Sequence, residues 1–388
     1  MPILNSAAEM AADVTAWRRD FHAHPELMFD VQRTAGIVAD KLRAFGCDEV
    51  VEGIGRTGVV GVIKGRNQAS GRTIGLRADM DALPLHEVTG LDYASTTPGK
   101  MHACGHDGHT AMLLGAARYL AETRNFDGTV LVIFQPAEEG GGGGREMVND
   151  GMMDRFSVAE VYGMHNEPGR PVGSFGIRPG PMMAAADQFE LTIKGKGGHA
   201  AKPHQANDPL LAGAHLVTAL QSVVARNVDP LKNGVVSLCT FQAGMAHNVI
   251  PDTAHMLGTV RSLEAEVRDL LEKRVTEIVK GTAMQFGVDI DYTFTRDYPV
   301  TVNHDKQTAF AASVAAEVVG DTNVDRNIVP VMGGEDFSFM LEARPGAFIF
   351  VGNGDTAPVH NPHYNFNDDA IPVGISYWAR LVETALPA

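Results

Sequence analysis

Residues 73–84 read TIGLRADMDALP, an apolar run of strand length that ends in two carboxylates, Asp79 and Asp81, with one residue between them. Working outward, the same arrangement recurs. TVLVIF (129–134) is followed by Glu138 and Glu139 in FQPAEEGGGGG, VAEVYGM (158–164) by His165, and AFIFVG (347–352) by His360. GVVGVI (58–63) is a further strand-length run, and 111–123 has helical period, with Leu113, Leu114, Ala117 and Leu120 on one face. Alternation of this kind predicts an α/β fold, a mostly parallel sheet covered by helices, and both chain ends read as helical. Open sheets of this class bind ligands beyond the carboxyl ends of their strands, so four segments with metal-type side chains are expected to converge at one edge.

Residues 183–296 have a different texture. FELTIKG (189–195), a helix near 209–226, VVSLCTFQ (235–242), TAHMLGTVRS (253–262), a helix near 263–286 and DIDYTFT (289–295) give the order β-α-β-β-α-β. That order is a ferredoxin-like α+β unit with its helices on one face. The expected organisation is a metal-binding catalytic domain of residues 1–182 and 297–388 interrupted by an inserted lid domain of residues 183–296, a division that a length of 388 residues accommodates.

The composition, 44% hydrophobic and 20% charged, belongs to an ordinary globular protein and excludes a disordered chain. A formal net charge of −15 leaves no basic surface for a phosphate backbone, which argues against nucleic acid as a partner. Cys47, Cys104 and Cys239 are an odd, widely spaced set without a disulfide framework, as in a reducing compartment. The N-terminal segment has charged residues where a signal peptide needs an apolar core, and no run approaches the length of a spanning helix. The expectation is a cytoplasmic protein with no membrane partner.

MHACGHDGHT (101–110) adds His102, Cys104, His106, Asp107 and His109 between the first two strand ends. Taken singly, each feature has an ordinary structural reading. A histidine after a strand, such as His165, is more often a satisfied core residue, adjacent glutamates are usually solvated, and Cys104 alone is a small hydrophobe. His22 and His24 in FHAHPE cap or pack as readily as they serve a site. The tight cluster is the strongest local signal, because Cys and His two apart on a short turn reach adjacent coordination sites. Thiolate, imidazole and carboxylate together suit manganese, zinc, cobalt or nickel over calcium or magnesium. Five such candidates and a water are easier to satisfy with two ions than with one, which leaves a carboxylate over to act as base.

With HAHPE, GIGRTGVVGVI, RADMDALP, MHACGHDGH, FQPAEEG, MHNEPG, GKGGHAAKPH, HNVIPD, GTVRS, MGGEDF and HNPHYNFND, the chain resembles, over nearly its whole length, the aminoacylase and hippurate hydrolase family of dinuclear metallo-amidohydrolases. That family includes auxin-conjugate hydrolases and is related to carboxypeptidases. The resemblance implies cleavage of the amide bond of a small N-acyl amino acid, hippurate-like, through a metal-bound hydroxide. It implies Cys104, His106, Glu139, His165 and His360 as ligands of two divalent ions, with Cys104 bridging and Glu138 as base. His363 competes with His360, but the family pattern places the ligand directly before the Asn-Pro step. The two glutamates take different jobs if they lie on extended chain, where successive side chains point apart. Asp81 matches a carboxylate that orients an imidazole ligand.

From the inserted domain the resemblance implies His199 and Asn248 at the scissile carbonyl and Arg261 as the fork for the substrate carboxylate. Read without the family, His199 is an exposed turn residue and Arg261 a surface cation. A homodimer or higher homo-oligomer through the lid is also implied. The alternatives within the scaffold are an N-acetyl amino acid or N-acetyl-diaminopimelate deacetylase, an auxin-conjugate hydrolase and an aromatic aminohydrolase. A non-catalytic metal-binding relative is the alternative of a different class, and Glu138 beside a full ligand set argues against it.

Overall fold

The structure, a computed structural model, describes residues 4–388. It divides into two compact units, one made of residues up to Met182 with Val302–Val329 and Asp336–Ala388, the other of Met183–Thr301 with Pro330–Glu335.

In the first unit four parallel strands form the centre of an eight-stranded sheet, in the spatial order Thr129–Gln135, Thr73–Asp79, Val158–Glu167 and Gly346–Gly352. These are the Val-, Ile- and Phe-rich runs, and they are buried almost end to end, as strands covered on both faces must be. Gly58–Lys64 and then Glu49–Ile54 extend the sheet antiparallel on one side, and the short Phe175–Gly176 and Val324–Asp325 complete the other. Glu49–Ile54 escaped the sequence reading because EVVEGI is a largely exposed edge strand with no apolar run. Helices Asn5–Ala23, His106–Thr123 and Ile371–Ala385 pack against one another. Gly115 lets them approach, since a Cβ there would lie 2.6 Å from Ile375 and 3.2 Å from Val14. Because the four central strands run the same way, their carboxyl ends share one edge, with Asp79 and Gln135 as last residues and His165 two residues before the end of its strand.

The second unit is a four-stranded antiparallel sheet in the order Gly234–Ala243, Thr253–Ser262, Ala185–Lys194 and Asp289–Tyr298. With helices Pro209–Asn227 and Ala265–Phe286 it has the expected β-α-β-β-α-β order. Alternation puts Phe189, Leu191 and Ile193 on the buried face against Leu216, Leu220, Leu271 and Val275. Asp208 caps the first helix by accepting from the N–H groups of Leu210 (2.9 Å) and Leu211 (3.2 Å), ahead of Pro209 at the position where a missing N–H is harmless. Among the described residues no helix is long and apolar enough to cross a membrane.

Candidate metal centre

Gly105 starts the site. Its φ of 94° is a left-handed conformation, and a Cβ there would sit 2.1 Å from Asn166 Oδ1, so glycine is what lets the 101–106 segment turn into the helix that begins at His106. This turn places Cys104 and His106 side by side. Cys104 Sγ lies 3.3 Å from His165 Nε2. The other nitrogen of His165 donates to the Asn166 carbonyl at 2.6 Å, which fixes the proton on Nδ1 and leaves the Nε2 lone pair facing the sulfur.

The glutamates are held differently from the sequence expectation. Glu138 and Glu139 do not lie on extended chain but in a turn that follows Ala137 at φ 53°. Asp81, wholly buried, binds this turn with both oxygens: Oδ1 accepts from Glu138 N at 2.9 Å and Oδ2 from Glu139 N at 3.1 Å. The glycine tract that follows lets the chain double back, since a Cβ on Gly143 would fall 1.7 Å from the Pro136 carbonyl oxygen. Asp81 Oδ1 is also 3.5 Å from His106 Nδ1, so the one carboxylate touches both the imidazole and the glutamate turn.

His106 is the most informative residue. It is fully buried, Asp79 Oδ2 stands 3.6 Å from its Nε2, and among the described residues neither ring nitrogen has a hydrogen-bond partner. Burial opposes its charge, but the Asp79, Asp81 and Glu139 carboxylates outweigh burial and push it up to about 10. Burial, reinforced by the Glu139 and Glu138 carboxylates, drives the Cys104 thiol well above its ordinary range. Glu139 Oε1 is 3.3 Å from His360 Nε2 without hydrogen-bond geometry. The carboxylates that hold His106 protonated, together with the Cys104 thiol, form a donor set that fits divalent cations, which would take the place of those protons.

The candidate ligands fall into overlapping groups whose donor atoms lie within 4.8 Å of one another: Cys104, His106 and His165; Cys104, Glu139 and His360; and His106, Glu138 and Glu139. Cys104 belongs to the first two. His360, at φ 61°, is in a group, whereas His363 is exposed, in none, and donates its backbone N–H to Asn361 Oδ1 at 2.9 Å.

In the second unit, His199 lies on the short strand Gly198–His199, paired with Val249–Ile250, and the Ala200 N–H donates to the Asn248 carbonyl at 3.1 Å. His199 and Asn248 are thus neighbours on one exposed ribbon. His199 Nδ1 accepts from Ala201 N at 3.1 Å, so a neutral ring carries its proton on Nε2. Arg261 is half-buried on the sheet, its Nη1 donating to the carbonyls of Val260 (2.9 Å) and Asp187 (3.3 Å), beside a cavity of about 220 Å³ that also borders Gln188, Cys239 and Asp297.

Residues 75–384 match peptidase family M20/M25/M40. The chain belongs to this family. Hippurate hydrolase of Campylobacter jejuni is 44% identical, with 98% of each chain covered, and N-acetylcysteine deacetylase of Bacillus subtilis is 41% identical over 95% of this chain and 96% of the relative. The crystal structure of a dinuclear metal-binding M20 peptidase from Bacillus subtilis superposes with a TM-score of 0.83 at 34% identity, covering 98% of this chain and 99% of the other. This M20 protein is a metal-dependent amidohydrolase with candidate metal-ligand groups in its first unit.

Two parts of the M20 site were not assigned roles from sequence. His109 bridges Asp79 Oδ1 (2.6 Å) and Asn166 Oδ1 (2.7 Å), and Asn166 in turn donates to the Tyr364 hydroxyl at 2.7 Å, so the residue after His165 ties its strand to the helix bearing His106. Arg77, buried within its strand, donates to Asp79 (2.8 Å), Gln135 (2.9 Å) and Asp336 (2.9 Å). The signal for the second was available: an arginine inside an apolar strand demands buried carboxylates, and RAD and GGED supply them.

Proposed function

We propose that the chain hydrolyses the amide bond of small N-acyl amino acids of the hippurate type, releasing a carboxylic acid and an amino acid. The carrying observation is the convergence of Cys104, His106, Glu139 and His165 with a buried Glu138 at one sheet edge. In this reading Cys104, His106, Glu139, His165 and His360 would hold two divalent ions drawn from manganese, zinc, cobalt and nickel, Cys104 being common to two of the donor groups. Such ions, when bound, supply Lewis acidity that acidifies a water and polarises a carbonyl. Glu138 takes a proton from the attacking water and passes it to the leaving amine nitrogen. Asp81 keeps that carboxylate on station through the two amides it binds. His199 offers its Nε2 proton to the carbonyl oxygen as charge develops there, with Asn248 beside it, and Arg261 receives the substrate carboxylate.

The substrate class is supported by the names of the relatives, hippurate hydrolase and N-acetylcysteine deacetylase. Turnover of a panel of N-benzoyl, N-acetyl and indole-acetyl amino acids and N-acetyl-diaminopimelate, each with the four metals in turn, tests it. Hippurate is expected among the best substrates, and failure on every N-acyl amino acid would refute the reading. Glu138→Gln should lower turnover by about 10²- to 10⁴-fold with metal content unchanged. We also place the protein in the cytoplasm, and assign self-association to the second unit, where Phe241, Met245, Val249 and Leu257 are exposed. Sedimentation should find a dimer that Val249→Glu weakens.

A further inference from the structure

The FHAHPE segment splits into two histidines with different surroundings. His24 ends helix Asn5–Ala23, is partly exposed, and donates from Nδ1 to the Asp20 carbonyl at 2.8 Å, an ordinary cap. His22 is completely buried between two carboxylates: Nδ1 is 2.8 Å from Asp107 Oδ2 and Nε2 is 3.2 Å from Glu87 Oε1. An ionised carboxylate only accepts, so both ring nitrogens must donate and His22 is an imidazolium. A buried cation of this kind is retained only where both partners are fixed around it.

Its two partners belong to different segments of the candidate centre. Asp107 follows His106 in the first turn of helix His106–Thr123 and also faces Arg18 Nη1 at 3.4 Å. Glu87 lies in residues 85–100, a stretch without helix or strand that Glu87 closes on itself by accepting from the Ser95 N–H at 2.7 Å and from the Thr89 hydroxyl. The next residue, Val88, donates its N–H to the Pro362 carbonyl at 3.0 Å, and Tyr93 donates to Asn365 Oδ1 at 3.3 Å. His360 needs such support. It sits in a left-handed backbone conformation on an irregular segment, is 54% exposed, and its own N–H is held by the Ala103 carbonyl at 2.7 Å.

We infer that His22 is a positioning residue, a charged staple that ties the turn bearing Cys104 and His106 to the 85–100 loop and, through Val88 and Pro362, to the segment bearing His360. Its work is to keep the Cys104–Glu139–His360 group in register with the Cys104–His106–His165 group. The inference rests on the two-ion reading given above. Loss of the staple removes no ligand but frees the His360 segment, so the effect falls on ion affinity.

Titration calorimetry of Mn²⁺ into the metal-stripped full-length chain tests this. Wild type should take up two ions per chain. His22→Gln and Glu87→Gln should each weaken one of the two steps by about 10- to 100-fold. Val88→Pro, which removes the N–H to Pro362 and changes no side chain of the buried cluster, should weaken the same step and serves if the buried variants fail to fold. Variants that melt at lower temperature yet bind both ions as tightly as wild type would overturn the inference and make His22 purely structural. A wild-type chain that binds no ion would instead overturn the two-ion reading, so the two failures are distinct.

Discussion

Cys104 belongs to two donor groups, and its thiol, raised by burial and by the Glu139, Glu138 and Asp79 carboxylates, becomes a good ligand only when a cation replaces its proton. His199, by contrast, sits on an exposed ribbon with its Nδ1 engaged by the Ala201 N–H, and in the proposed mechanism it acts on the transition state alone. His199→Ala should therefore reduce kcat by about 10²- to 10³-fold while ion content stays at the wild-type level, as steady-state kinetics with elemental analysis would show. His22 makes a pH prediction. Burial opposes its charge, but Asp107 and Glu87 prevail and raise it from 6.5 to about 9. A group raised on folding stabilises fully below its unfolded value and loses that contribution as pH rises through the folded one. The stability of the metal-stripped chain should fall between pH 6.5 and about 9 by on the order of 3 kcal/mol. Urea denaturation of wild type and His22→Gln should show the gap between them narrowing over that interval, and a constant gap would contradict it. At this scale much was legible. The CGHDGH spacing, the paired glutamates and the residues past each strand named the groups that converge, because metal-type side chains are chemically conspicuous. The bend at Glu138 and Glu139 was not legible, because it is imposed by Asp81, more than fifty residues away, and by a left-handed Ala137 that no local propensity announces.

The elements divide the same way. The four central strands could be read from composition because burial on both faces demands unbroken apolar runs. The start of helix His106–Thr123 could not, since 106–110 carries polar residues that are all buried and periodicity only becomes apolar from Ala111. What sets that start is the conformation of Gly105 and its close approach to Asn166. Gly105→Ala should therefore destabilise by more than about 2 kcal/mol, combining left-handed strain with the clash. Gly99→Ala, also at positive φ (82°) but with nothing within 4 Å of the added methyl, isolates the backbone share. Thermal melts of the two should separate clearly. Equal losses would mean that the Gly105 turn tolerates a side chain and that helix packing, not the turn, fixes His106.

At the scale of the whole molecule, the α/β unit carries the metal-type residues, and the α+β unit carries the exposed His199–Asn248 ribbon and Arg261. His106, paired with Asp79 and Asp81 only at 3.6 and 3.5 Å, is one cation among several buried carboxylates, which leaves this cluster incompletely balanced until cations bind. Chelation should then lower the melting temperature as well as abolish hydrolysis, and added manganese or zinc should restore both. The most direct measurement is the number of ions held per chain, by elemental mass spectrometry after saturation with manganese and removal of free metal, for wild type and Cys104→Ala. Two ions in wild type and at most one in the variant are predicted. A wild-type chain that retains none, or a variant that retains both, would contradict a shared two-ion centre at this sheet edge.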